Sequence, residues 1–253
     1  MLKLMAKRLA GVLGYSISRS VVDAKSCEIN REIWGDNPFA DMSALVRDIE
    51  CPIVFDVGAY HGEVSLEFRN ALPNSRVFAF EPFPSSFDVL KANTSVDSAI
   101  RVFPVGLADS AGNRLFSSNE HAPANSLFET DRLAHETWGR SVLETRQQIE
   151  VPFETIDGFM CANDIKRIDI LKLDCQGAEP LVVRGAADAL NTRKVGVIYA
   201  EIILQPTYVG QQSFHESLLM YETCGFELFN LYNLSLKPNG FLRQVDAIFV
   251  RRS

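Results

Sequence analysis

From residue 51 onward, short β-branched and aromatic runs alternate with stretches of helical period. Ile53-Val54-Phe55-Asp56-Val57 reads as a buried strand, and Glu63 to Leu72 follows as a helix ended by Pro73-Asn74. Arg76 to Glu81 is the next strand, stopped by Pro82. Pro84 to Asn93 is then a helix with Ser85 or Ser86 near its cap, and Ile100 to Val105 is a third strand. Three strand-helix steps in a row predict a parallel sheet.

After Asp109 the period is lost. Residues 110 to 148 are polar with scattered charge, which predicts an insertion over the sheet edge carrying at most a short strand at Arg114 to Ser117; long inserts of this kind are usually functional lids or disordered. Gln148 to Thr155 reads as extended, Ile156 to Asn163 as helical, and Ile168 to Asp174 as a fourth core strand. A helix over Gly177 to Leu190, a fifth strand over Val195 to Glu201 and a helix over Ser213 to Cys224 complete the alternation. Phe226 to Tyr232 and Val245 to Arg251 have only the turn region around Pro238-Asn239-Gly240 between them, so they are expected to pair antiparallel. The expected organisation is an N-terminal helical extension over 1–49 and one domain over 50–253.

Composition narrows the function. The 253 residues are 47% hydrophobic, enough for a large core, and 25 Lys+Arg against 32 Asp+Glu give a net charge of -7, which argues against a general nucleic-acid binder. The charge is uneven: residues 1–19 carry Lys3, Lys7, Arg8 and Arg19 and no acid, leaving 21 basic against 32 acidic residues, or -11, for the remainder. Leu2, Met5, Leu9 and Val12 or Leu13 fall near one helical face of this start, a basic amphipathic pattern that either packs on the domain or touches an anionic membrane peripherally. It is too short to span a bilayer, and Lys7-Arg8 interrupts any signal-peptide run, so a cytoplasmic protein is expected. Cysteines 27, 51, 161, 175 and 224 are odd in number and form no CxxC pair, which fits a reducing compartment; Cys51 and Cys175, next to strand ends, are expected to be small buried hydrophobes.

In an open α/β sheet the ligand lies outside the carboxyl ends of the strands, and Asp56, Glu81, Asp174 and Glu201 all fall at or near that edge. Four carboxylates there predict a polar crevice for hydroxyl-rich or cationic ligands. The first strand runs into Asp56-Val57-Gly58-Ala59-Tyr60-His61-Gly62, a GxxxG turn that lacks the GxGxxG of dinucleotide binders. Glu81 follows at the end of the second strand, where a carboxylate can accept hydrogen bonds from both hydroxyls of a ribose. A nucleoside without a pyrophosphate fits both facts, and S-adenosylmethionine, whose sulfonium and amino groups are positive, is one. A glycine turn beside a salt-bridged acid is the structural alternative.

Val54-Phe55-Asp56-Val57-Gly58-Ala59 with Gly62, then Phe80-Glu81-Pro82, Gly106-Leu107-Ala108-Asp109 and Lys172-Leu173-Asp174-Cys175-Gln176-Gly177-Ala178-Glu179, resemble the FkbM-type methyltransferases over roughly residues 50 to 250. The resemblance implies a class I methyltransferase (Rossmann-like) α/β fold, doubly wound around a mostly parallel seven-stranded sheet with an antiparallel last strand. It also implies S-adenosyl-L-methionine as methyl donor and a hydroxyl acceptor on a glycan, glycolipid or hydroxylated natural product. The cofactor-binding residues expected on this basis are Asp56, Gly58, Ala59, Tyr60, Gly62, Glu81, Pro82, Gly106 and Leu107. Two positions depart from the family: His61 stands where Asn is frequent, and Gln176 where Glu is common.

A hydroxyl is a poor nucleophile until its proton is removed, so a base is expected. Lys172 and Asp174 lie two apart on one strand, on one face and about 6–7 Å apart along it. Asp174, nearer the strand end, is the first choice for base or acceptor orientation; a simple ion pair with Lys172 is the alternative. Glu179 is expected to cap the following helix. Tyr208 and Glu201 are expected acceptor contacts, as is His121 of the insert, which also carries Asn125-Ser126, His135 and Trp138. Asp174 and Glu201 could share a divalent cation, but two carboxylates are thin evidence and no metal is assigned. The rival readings are a nicotinamide-dependent sugar oxidoreductase or epimerase, disfavoured by the missing GxGxxG and YxxxK, and a non-catalytic nucleoside-binding module.

Overall fold

The computed structural model describes residues 34–119, 124–138 and 143–252; the basic start of the chain, Cys27 and His121 lie outside them. The compact unit begins at Gly35. Its first helix, α1 (Pro38–Leu45), is capped by the Asn37 side chain, which accepts from the Phe39 and Ala40 amides. Met42 of α1 is fully buried among Val54, Phe68 and Ile248, and the Asp41 carboxylate accepts from the Tyr232 hydroxyl at 2.5 Å and the Gly35 amide at 2.7 Å. Residues 35–49 therefore pack as part of the domain that the sequence reading began at residue 50.

The alternation read from residue 51 folds as β1 (Ile53–Val57), α2 (Glu63–Ala71), β2 (Arg76–Phe80), α3 (Pro84–Thr94) and β3 (Ile100–Phe103). The insert region supplies β4 (Gly106–Leu107), β5 (Gly112–Asn119), α4 (Ala134–Trp138) and β6 (Thr145–Glu154). Then come α5 (Ile156–Ala162), β7 (Ile168–Leu173), α6 (Glu179–Arg184), α7 (Ala187–Asn191), β8 (Val195–Ile203), α8 (Phe214–Thr223), β9 (Phe226–Leu236) and β10 (Leu242–Arg251). The main sheet has the order β3-β2-β1-β7-β8-β10-β9. It is parallel except for β10, which runs antiparallel to both its neighbours. This is the class I methyltransferase architecture, and its order reverses between β1 and β7, where a doubly wound sheet opens its ligand crevice.

Both faces of the sheet are covered, which is why its central strands are apolar almost throughout. Phe55, Phe80 and Leu171 pack with Phe159 on one face, whereas Val54, Ala79 and Ile170 pack with Met42 and Phe68 on the other.

Several local expectations change. The strand foreseen at 114–117 is twice as long because β5 finds antiparallel partners all along β6, and β6 also pairs with β4 to give a second sheet in the order β4-β6-β5. The single helix foreseen over 177–190 is broken into α6 and α7 at Gly185, whose backbone lies so close to Ala108 that a Cβ there would come within 2.0 Å of the Ala108 carbonyl oxygen. Phe83, not Ser85 or Ser86, is the N-cap of α3, without a side-chain cap bond, and Ser86 is buried. Cys51 is exposed because it precedes β1 in a bend instead of entering the strand. The Ser213–Glu216 capping box starts α8.

Candidate active site

A cavity of about 370 Å³ opens at the carboxyl ends of β1, β2, β7 and β8, a size usual for a small-molecule site. The turn after β1 forms one wall. Gly58 has φ +75°, and a Cβ on it would meet the Asp174 carbonyl oxygen at 1.9 Å, so only glycine lets this turn pass against the end of β7. Gly58, Ala59, Tyr60, Glu81, Pro82, Gly106 and Leu107 line the cavity. Gly62 does not; at φ +94° it starts α2, packed against Leu90 of α3.

Asp56 also lies outside the lining, fully buried beneath it. Strand register sets it beside Lys172, whose Nζ is 3.0 Å from Asp56 Oδ1, while Ser65 of α2 donates to Oδ2 at 2.6 Å. The same ammonium donates to the Gly58 carbonyl at 2.7 Å and lies 3.9 Å from Asp174. Burial works against the Lys172 charge, but Asp56 and then Asp174 outweigh it and push the pKa up, so the lysine stays protonated. Lys172 is thus a positively charged floor tied to the glycine turn, with Asp56 as its counter-ion.

Glu81 Oε2 accepts from the Tyr60 amide and Oε1 from the Phe83 amide, both at 2.9 Å. Each oxygen keeps lone-pair capacity for a second donor. Burial pushes this carboxyl up to about 7, with the two backbone donors pulling the other way.

Across the cavity, Gln176 joins the remaining polar groups. Its Nε2 donates to Asp174 Oδ1 at 2.8 Å and to Glu201 Oε2 at 3.0 Å, and its Oε1 accepts from the Tyr208 hydroxyl at 2.8 Å. Gln244 of β10 donates to the other Glu201 oxygen at 2.7 Å. Burial, then the nearby Asp174 carboxylate, push the Glu201 carboxyl well above the usual range. Glu179 turns back to accept from the Cys175 amide at 2.7 Å and the Gly177 amide at 3.4 Å, and burial raises it to about 7. Burial also raises the Cys175 thiol, which removes it as a nucleophile.

These donors and acceptors suit a nucleoside bearing a cationic centre. Lys172 is the one cationic side chain among the described lining residues, and it is already matched by Asp56, so among them no free cationic side chain is offered to a pyrophosphate. Glu81 presents two acceptor oxygens at the end of β2, and Asp174 presents negative charge at the end of β7. Residues 56–228 match the model of the methyltransferase FkbM domain. The chain belongs to the FkbM methyltransferase family. It is therefore an S-adenosylmethionine-dependent methyltransferase.

Among its relatives, methyltransferase sdnD of Sordaria araneosa is 29% identical over 178 residues, covering 62% of this chain and 67% of that protein. The 2-O-methyltransferase NoeI of Sinorhizobium fredii is 26% identical, covering 63% of this chain and 67% of its own length. The 31-O-demethyl-FK506 methyltransferase FkbM of Streptomyces tacrolimicus is 28% identical, covering 68% of this chain and 72% of its own.

In this FkbM-family chain, Asp174, Glu201, Tyr208 and Lys172 all reach the cavity. His61 stacks on Tyr60 with ring centroids 3.6 Å apart and does not line it, and neither do His135 and His215. Gln244 and the aromatic wall of Phe116 and Phe153 were not foreseen. Gln244 precedes the apolar run read as the last strand, so no signal marked it; the second depends on how β5 and β6 pair. Among the described residues no group of three or more His, Cys, Asp or Glu side chains could hold a metal ion, and no helix is long and apolar enough to cross a membrane.

Proposed function

We propose that this enzyme is an O-methyltransferase acting on a hydroxyl of a glycan, glycolipid or hydroxylated natural product, with Asp174 as the base. The observation that carries the reading is the Asp174 carboxylate, held at 2.8 Å by Gln176 at the cavity wall, with Glu201 on the same Gln176 amide at 3.0 Å. Such a group can take the hydroxyl proton as the new C–O bond forms. Gly58, Ala59, Tyr60, Glu81, Pro82, Gly106 and Leu107 hold the cofactor, Glu81 on the ribose hydroxyls, and Asp56 and Gly62 support the turn from below. Bound there, S-adenosylmethionine supplies an electrophilic methyl group. Lys172 fixes the turn and the base relative to each other, and Tyr208 and Glu201 orient the acceptor. The methyltransferase domain takes in residues 35–49 as well as the strands that follow, and the described part of the insert contributes Phe116, Asn125, Leu127 and Trp138 to the acceptor wall. The two O-methylating relatives support oxygen as the acceptor atom.

Incubation with labelled S-adenosylmethionine and a lysate of the source organism tests this. A product whose label survives mild base is expected, because an ether is stable there. Label released as methanol, marking a carboxyl ester, or label fixed on nitrogen would refute the hydroxyl reading.

A further inference from the structure

The insert holds a polar group at the cavity whose bonding is incomplete. Asn125 is only 9% exposed and lines the cavity. Its Oδ1 accepts from the Asn119 amide at 2.7 Å, which fixes the orientation of the side-chain amide. Its Nδ2 is buried with no partner among the described residues. The groups around it waste nothing: Asn119 Nδ2 donates to the Ala124 carbonyl at 2.6 Å, and Asn119 Oδ1 accepts from Thr145 at 2.9 Å. Leaving a buried donor unpaired costs about 1–3 kcal/mol, so an orphan beside a ligand cavity points to a ligand atom.

Its place in the chain tells which ligand. The preceding carbonyl, Ala124, accepts from Tyr208, and the following hydroxyl, Ser126, donates to the Gln176 carbonyl at 2.7 Å. Tyr208 and Gln176 hold the Asp174 side of the cavity, not the glycine turn or Glu81. The neighbouring lining is apolar, with Leu127, Trp138 and Leu143, and the Trp138 N–H is already used on Thr207 at 2.8 Å.

We infer that Asn125 is a specificity-determining residue: its amide nitrogen donates to an oxygen of the methyl acceptor, which is a largely apolar alcohol carrying a carbonyl or ether oxygen close to the hydroxyl that is methylated. This rests on the methyl-transfer reading above.

Two probes test it on protein saturated with S-adenosylhomocysteine. They are 2-hydroxyacetophenone and 2-phenylethanol, which differ by a carbonyl in place of a methylene next to the carbinol carbon. By titration calorimetry the wild-type protein should bind the ketone about tenfold more tightly, the effect of one buried hydrogen bond. Asn125→Asp keeps the oxygen that accepts from Asn119 and replaces the amide donor with a carboxylate acceptor, so at pH 8 the preference should vanish while S-adenosylhomocysteine affinity holds. Equal binding of the two probes by the wild-type protein, which requires no variant, overturns the proposal. So does failure of both to bind at millimolar concentration, or an Asn125→Asp variant that keeps the preference or loses S-adenosylhomocysteine instead. A wild-type protein that does not bind S-adenosylhomocysteine overturns the underlying methyl-transfer reading.

Discussion

Glu81 makes cofactor affinity a function of pH. In the unliganded protein burial raises its carboxyl to about 7, so near neutrality it is half protonated. A ribose bound through two hydroxyl donors favours the ionised form and pulls the pKa down. The affinity conferred by the carboxylate is therefore fully present above about pH 7 and lost as the pH falls through that value. If only the ionised form binds, the dissociation constant at pH 6 is about tenfold weaker than at pH 8, or about 1.4 kcal/mol. Lys172 and Asp56 beneath the site pull and push the same carboxyl, but Lys172 stays charged across this range. Calorimetric titration with S-adenosylhomocysteine from pH 5.5 to 8.5, in buffers of different ionisation enthalpy, should show the slope together with release of about one proton on its acid limb. Glu81→Gln should flatten the profile and weaken binding at pH 8 by about 10–100-fold, the loss of charge-assisted bonds. A wild-type dissociation constant that agrees within twofold at pH 6 and pH 8, or an unchanged slope in Glu81→Gln, refutes the assignment of Glu81 to the ribose.

Three further outcomes are expected. Asp174→Asn should lower kcat by about 10²–10⁴-fold while S-adenosylhomocysteine binds within threefold of wild type, because the base acts on the acceptor; an unchanged kcat would move the base elsewhere. Lys172→Met leaves Asp56 buried without its counter-ion and should cost about 3–5 kcal/mol in urea denaturation, with partial recovery in the double variant Lys172→Met, Asp56→Asn. Gly58→Ala forces a Cβ toward the Asp174 carbonyl in a backbone with positive φ, so both the melting temperature and S-adenosylhomocysteine affinity should fall; a fully active, stable Gly58→Ala variant would contradict the close packing of the turn on β7.

The central strands were legible because they are covered on both faces, so apolar residues dominate Ile53–Val57 and Ile168–Leu173 apart from Asp56, Asp169 and Lys172. The insert was less so. Ser117, Asn119, Asn125 and Ser126 are buried yet polar, stabilised by bonds to backbone and to each other, and no hydrophobic period records such an arrangement. Asp56 was expected to line the crevice and lies buried beneath it: one strand alone cannot tell whether a carboxylate faces the crevice or a lysine on the next strand, and only the pairing of Asp56 with Lys172 decides it. Gln176 shows the same limit. Its type announced a neutral hydrogen-bonding group, but its role between Asp174 and Glu201 depends on β7 and β8 being neighbours.

The strand order has a consequence for how the protein is made. β10 leaves the ribosome after β8 and β9, yet it lies between them. During synthesis β9 emerges before its pairing partner exists, and the free edge of β8, apolar on both faces, waits with it. Glu201 sits on that edge and gains its Gln244 partner from the late strand. One rim of the catalytic cavity is thus assembled only after the rest of the sheet has been translated, and a nascent chain shorter than about residue 244 exposes the open edge of a five-stranded sheet in place of an enzyme.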